Sequence, residues 1–121
     1  MANFSQDIIN KVWGKAFTVD GYDNTLYRQD NCGAWIKKDK YGSEDYLGWE
    51  IDHVYPVSKG GTDDLENLRP MHWQNNRSKA NNYPSYHCAL KSSDNKNVDS
   101  DKSRTVNDSL QETLKEKYKI K

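Results

Sequence analysis

The sequence is poor in the groups that usually hold a small protein together. Only 34% of its 121 residues are hydrophobic, so the aliphatic interior is small and stability must come partly from elsewhere. There are two cysteines, Cys32 and Cys88, and neither belongs to a CxxC pair. That excludes a disulfide-dense scaffold and a thiolate metal knuckle, and two isolated cysteines are expected to be reduced packing residues. No apolar stretch approaches the roughly 18 residues that span a bilayer. The segment Met1 to Lys15 lacks the charged-then-apolar layout of a secretion signal. A soluble, cytoplasmic protein with no membrane contact is therefore expected. Net charge is absent too: 18 basic and 18 acidic residues cancel, which argues neither for nor against a polyanionic partner. There is no internal repeat.

What the chain does have is aromatic residues, 12% of the total with four Trp and eight Tyr. Large rings bury much area per residue and anchor small cores, and Trp49 and Trp73 are expected there. The length fits one compact domain. Charge is also unevenly placed. Residues 39–66 hold eight acidic and two basic residues, whereas residues 67–91 hold Arg69, Arg77, Lys79 and Lys91 and no carboxylate. An acidic region that could collect a metal ion thus precedes a cationic one that could face phosphate.

Ile8, Ile9, Val12, Trp13 and Phe17 are spaced to form one apolar face of a short helix. Residues 21–48 carry turn signals around short apolar runs, which predicts short strands or extended loops. In Trp49-Glu50-Ile51-Asp52-His53-Val54 apolar and polar residues alternate as in a half-buried strand. A glycine turn follows at Lys59-Gly60-Gly61-Thr62. Pro70 is a helix-starting residue, so a helix is predicted from Pro70 or Met71 to about Ala80, ended by Asn81-Asn82-Tyr83-Pro84. Residues 92–105 are polar and nearly free of apolar groups, the composition of an unordered linker. Val106, Leu110, Leu114 and Tyr118 then recur every four residues, which permits an amphipathic helix docked on the body or on a partner. The expected organisation is an α+β body over residues 1–91, with its chemical core at about 48–82, and a linker and helix over 92–121, remote from the candidate site.

Asp52 and Asn76 each offer an oxygen ligand, and two such oxygens with waters and a phosphate oxygen suit a hard divalent ion such as Mg²⁺. His53 adjoins the first, and an imidazole can take a proton from water near neutral pH. These parts suffice for phosphodiester hydrolysis. Neighbouring residues on a regular strand face opposite ways, so Asp52 and His53 can share a phosphate only if the strand ends or bulges there. His72, one predicted helical turn before Asn76, is a further metal ligand or phosphate contact, or else a helix cap or a solvated side chain. Arg69, Arg77 and Lys79 are candidate phosphate contacts, or ordinary solvated cations. Glu50 is expected to pair with a cation such as Arg28.

The run Ile51-Asp52-His53-Val54-Tyr55-Pro56 through Gly60-Gly61, Glu66-Asn67-Leu68 and Asn75-Asn76-Arg77-Ser78-Lys79 resembles the HNH nuclease family, over about 33 residues from Glu50 to Asn82. The stretch Tyr27 to Ile36, with Arg28, Asp30, Cys32, Gly33 and Trp35, looks like the strand-forming lead-in of some small HNH proteins. The resemblance implies a ββα-metal fold in which Asp52 and Asn76 bind the ion, His53 is the general base, and Asn67 holds the loop between hairpin and helix. Its third signature position is Asn rather than His, which favours Mg²⁺ or Mn²⁺ over Zn²⁺. Many HNH proteins also carry a structural zinc on two CxxC pairs. Here the second pair would fall at His72 and Asn75, and the first has at most Cys32, so no structural zinc is expected. The aromatic lead-in and the N-terminal helix are then expected to do its structural work. The implied activity is metal-dependent nicking of DNA, double-stranded rather than single-stranded, one strand per site and with little sequence specificity. The alternative is a catalytically silent HNH-like module that binds nucleic acid or protein. A toxin or effector domain taken from a larger protein is a third reading, against which stand Met1 and the lead-in. Oligomeric state is left open.

Overall fold

The computed structural model describes residues 3–121. Helix α1 spans Gln6–Trp13; Ser5 caps it by accepting from the Ile8 N–H, and Asp7 and Lys11 match the polarity of its ends. It buries Val12 and Trp13. Strands β1 (Tyr27–Gln29) and β2 (Trp35–Lys37) form an antiparallel hairpin. Its turn needs Gly33 at φ 83°, a conformation other L-residues seldom adopt.

The centre of the molecule is a second antiparallel hairpin, β3 (Trp49–His53) and β4 (Leu68–His72), in which Asp52 lies opposite Arg69. Helix α2 (Trp73–Lys79) follows β4 directly. The predicted helix start at Pro70 is thus overturned, since Pro70 lies within β4. That strand pairs with β3 alone, and proline is tolerated on an edge strand because its missing N–H faces away from the ladder.

Side-chain alternation divides the hairpin into two faces. Trp49, Ile51 and Leu68 pack with Val12, Trp13, Ala16 and Ile36 in one core. The Trp13 and Trp49 rings meet at 5.5 Å between centroids. Trp49 is fully buried, and truncating such a ring to alanine typically costs about 3–5 kcal/mol. Met71, on the opposite face, joins Val54, Tyr86, Val106 and Leu114 in a second core.

Residues 92–105 are ordered rather than a linker. Strands β5 (Ser85–His87) and β8 (Ser103–Thr105) pair, as do β6 (Leu90–Ser93) and β7 (Lys96–Asp99). Polar contacts fasten this region. The Asn97 amide accepts from the Trp35 N–H at 2.7 Å and donates to the Trp35 carbonyl at 3.0 Å. Cys32 and Cys88, expected to be reduced, are joined as a disulfide with Cα atoms 5.8 Å apart.

Helix α3 (Asp108–Tyr118), capped by Asn107, buries Leu114. It is not remote from the candidate site. The Tyr118 hydroxyl meets Thr62 at 2.7 Å, and Lys117 pairs with Asp64 and Glu66 at 3.2 and 2.7 Å, all on the loop that leads into β4. Among the described residues, no helix is long and apolar enough to cross a membrane.

Candidate active site

The loop between β3 and β4 is held from inside by Asn67. Its Oδ1 accepts from the Tyr55 N–H at 2.8 Å, and its Nδ2 donates to the carbonyls of Tyr55 and Thr62 at 3.1 and 3.0 Å. Gly61 is required there, since a Cβ at that position would collide with the Tyr55 carbonyl. The loop turns back so that Asp63 reaches His53: Nε2 and Asp63 Oδ1 are 2.7 Å apart. A carboxylate can only accept, so this contact places the ring proton on Nε2 and leaves Nδ1 as the basic nitrogen. Strand β3 ends at His53, which lets Asp52 and His53 line the same groove although they are neighbours on a strand.

That groove, of 270 Å³, is bordered by Asp52, His53, Asn76, Arg77, Pro56 and Ala80. Beside it runs a wider trough of 910 Å³ that shares His53, Asn76 and Arg77 and adds Glu44, Glu50 and Asp63. Asn76 donates through Nδ2 to Glu50 Oε1 at 3.0 Å, which leaves its amide oxygen for another partner. Arg77 also contacts Glu50, at 3.2 Å, and Glu44, and its guanidinium lies 4.9 Å from the Trp73 ring centroid. Hydrogen bonds to these two carboxylates raise its pKa above the ordinary arginine value. The partner of Glu50 is therefore Arg77, across the groove, and not Arg28, which lies over Trp13. Trp73, expected in the core, is half-buried and donates to the Asp45 carbonyl.

Asp52 is buried with two cations. Its Oδ2 meets Arg69 Nε at 3.0 Å and its Oδ1 meets Lys79 Nζ at 3.3 Å. Lys79 is fully buried and also donates to the His53 carbonyl at 3.2 Å. Burial lowers the Lys79 pKa, opposed by the Asp52 charge. Arg69 and Lys79, which the sequence offered as phosphate contacts, pair with Asp52 and do not line this groove, because a carboxylate taken out of water needs partners. Arg77 is the one of the three left at the surface.

His72 is not beside the groove. It is fully buried as the N-cap of α2, with Nδ1 accepting from the Gln74 N–H at 3.1 Å and Nε2 donating to the Tyr46 carbonyl at 2.8 Å. With both ring nitrogens engaged it can take neither a metal nor a phosphate as it stands. Burial lowers its pKa, which keeps the imidazole neutral and the cap intact.

Asp63 and Asp30 hold positions that the family resemblance does not assign. Asp63 follows directly on the glycine turn, the place from which a short loop can fold back on its own strand. Asp30 opens an Asp-x-x-Gly turn, a signature of a carboxylate that captures nearby N–H groups.

The donor set fits a hard cation in kind. Among the described residues no three His, Cys, Asp or Glu side chains gather around a point, but Asp52 and Asn76, each with oxygen donors, border one groove. A carboxylate has about four lone-pair sites, and Arg69 and Lys79 engage one on each oxygen. Water and substrate oxygens would complete such a site.

Residues 30–82 match a family model described as HNH endonuclease. No curated protein and no solved structure matches the chain.

Proposed function

We propose that residues 30–82, an HNH endonuclease domain, hydrolyse phosphodiester bonds of double-stranded DNA, one strand per site and with little sequence preference. The observation that carries this reading is that Asp52, His53 and Asn76 border one groove while Asp63 holds the His53 ring. Asp52 and Asn76 would hold Mg²⁺ or Mn²⁺, which when bound supplies a Lewis acid for the phosphate and for the departing oxygen. His53 Nδ1 accepts the proton of the attacking water, and the imidazolium that results is stabilised by Asp63. Lys79, through the His53 carbonyl, fixes the backbone beneath the base. Asn67 fixes the loop from which Asp63 approaches. Arg77, at the rim, contacts a flanking phosphate once the strand competes for it with Glu44 and Glu50. The place of action follows the state of the Cys32–Cys88 pair: a closed bridge favours oxidising surroundings over the cytoplasm.

One observation favours the second reading, a silent nucleic-acid or protein-binding module: both carboxylate oxygens of Asp52 are already engaged, by Arg69 and by Lys79. Purified protein incubated with supercoiled plasmid separates the two. Conversion to nicked circles with Mg²⁺ or Mn²⁺, and none in excess chelator, supports the nuclease. His53→Ala should then lower turnover by roughly 10²–10⁴ with folding retained. Binding without metal-dependent nicking would leave the silent module as the reading.

A further inference from the structure

On the other side of the Asp52–Arg69 ion pair lies a second cavity, of 360 Å³, lined by Lys15, Phe17, Arg69, Tyr86, Arg104 and Asn107, among others. We propose that this cavity is a binding site for a phosphate group, held by Arg69 and Arg104.

Arg69 is nine-tenths buried. Its Nε is committed to Asp52 and its guanidinium rests 4.9 Å from the Tyr86 ring centroid. Its Nη2, however, is buried with no hydrogen-bond partner. Among the described residues it is the one buried side-chain nitrogen or oxygen left so. Buried donors of this kind are rare because water is lost and nothing replaces it. A ligand oxygen in the adjoining cavity is the natural partner.

The charge count points the same way. Asp52 brings one negative charge against the two positive charges of Arg69 and Lys79, so the buried cluster is one positive charge in surplus. Arg104, exposed on β8, lines the same cavity and makes no ion pair among the described residues. Two other charged groups on the wall are already engaged. Lys15 donates to the carbonyls of Leu65 and Leu68, and Glu66, the one carboxylate of the lining, is held by Lys117 at 2.7 Å. An anion entering here therefore meets two arginines with free donors.

Phosphate suits them better than carboxylate does. Its several oxygens can satisfy guanidinium groups on separate walls at once, and the planar fork of arginine matches it. The cavity lies in the size range of small-ligand pockets and cannot admit a folded partner. Phe17, 54% exposed, stands in the lining and offers a ring face to a base or sugar attached to the phosphate. The site is distinct from the active groove: Asp52 borders the groove, Arg69 borders this cavity, and their ion pair is the wall between them.

The test uses the full chain, ¹⁵N-labelled and kept in chelator so that no cleavage intervenes, with the arginine Nε–H signals followed by NMR. Inorganic phosphate should shift the Arg69 and Arg104 signals saturably, and acetate at equal ionic strength should not. Arg104→Ala, a change at the surface, should raise the half-saturating phosphate concentration about tenfold. A short DNA duplex identifies the source. If it displaces phosphate from these two arginines, the group is a backbone phosphodiester; if it leaves them bound to phosphate, the site takes a free phosphate or phosphomonoester. Either result upholds the site. The absence of a saturable shift, an equal response to acetate, or an Arg104→Ala variant that binds phosphate unchanged would overturn it.

Discussion

Reducing the Cys32–Cys88 bridge should loosen the whole second core. The two cysteines lie 56 residues apart in sequence and are both buried. In the chain-entropy account, cross-linking a loop of that length removes about 14 cal/mol/K from the unfolded chain, or about 4 kcal/mol at room temperature. Unfolding entropy is roughly 2.1 cal/mol/K per residue, about 0.25 kcal/mol/K for this chain, so the melting midpoint should fall by about 15 °C. Thiol titration of the denatured protein should find no free thiol before reductant and two after it. Thermal melts with and without reductant then give the shift, and the reductant arm removes no side-chain atoms. The effect should reach the site as well, because Cys32 sits two residues from Asp30, which holds the start of α2. Two free thiols in the protein as purified would refute the bridge. A bridge that forms but whose reduction moves the midpoint by less than about 4 °C would refute the energetic argument. A closed bridge belongs to oxidising surroundings, so the thiol count also bears on the cytoplasmic location expected from the sequence.

Two further outcomes are expected. His72 has its folded pKa held below the ordinary value of 6.5 by burial, so the unfolded chain takes up a proton first as the solution is acidified. Stability from this group is complete above about pH 6.5 and is lost as pH falls from there toward the folded pKa. Urea midpoints for the protein and for His72→Gln should diverge in slope between pH 7.5 and 5, and parallel slopes would exclude His72 as the source. Asp63→Ala should lower kcat for nicking by roughly 10- to 100-fold and leave duplex affinity in chelator nearly unchanged; a loss confined to affinity would make Asp63 a substrate contact and not the residue that positions His53.

What the sequence offered toward the candidate site is a set of residues whose order and spacing resemble the HNH pattern. In the fold Asp52, His53 and Asn76 border one groove, and Asn67 is buried inside the loop between the two strands. Arg69 and Lys79 were read as surface cations because nothing in a sequence distinguishes a solvated lysine from one that neutralises a buried carboxylate. Only the register that sets Arg69 opposite Asp52 reveals it. The segment 92–105 misled for a related reason. Its composition offers little apolar burial, but its order comes from hydrogen bonds such as that of the Ser92 N–H to the Gly33 carbonyl at 2.7 Å. The disulfide could not be read either, as two cysteines 56 residues apart announce no pairing.

The same register explains how α2 is placed. Asp30 is almost wholly buried and accepts four hydrogen bonds: from the N–H groups of Cys32 and Ala34 on one oxygen, and from the His72 N–H and the Asn75 amide on the other, all at 2.9 to 3.0 Å. Burial raises its pKa, and the four donors pull against that rise. His72 and Asn75 are the two positions at which the resemblance would put the second cysteine pair of a zinc knuckle, and Cys32 stands where the first has its remaining member. The aromatic lead-in and N-terminal helix were expected to supply this tie; the structure puts it on a carboxylate and a disulfide. The chemistry is inverted, since a zinc ion gathers thiolates around a positive charge whereas Asp30 gathers N–H groups around a carboxyl. Asn75 carries the connection onward by exchanging two hydrogen bonds with Leu90, at 2.7 and 3.1 Å. Asn76, which borders the groove, is the next residue, so its place is set by a network whose every donor comes from the chain itself.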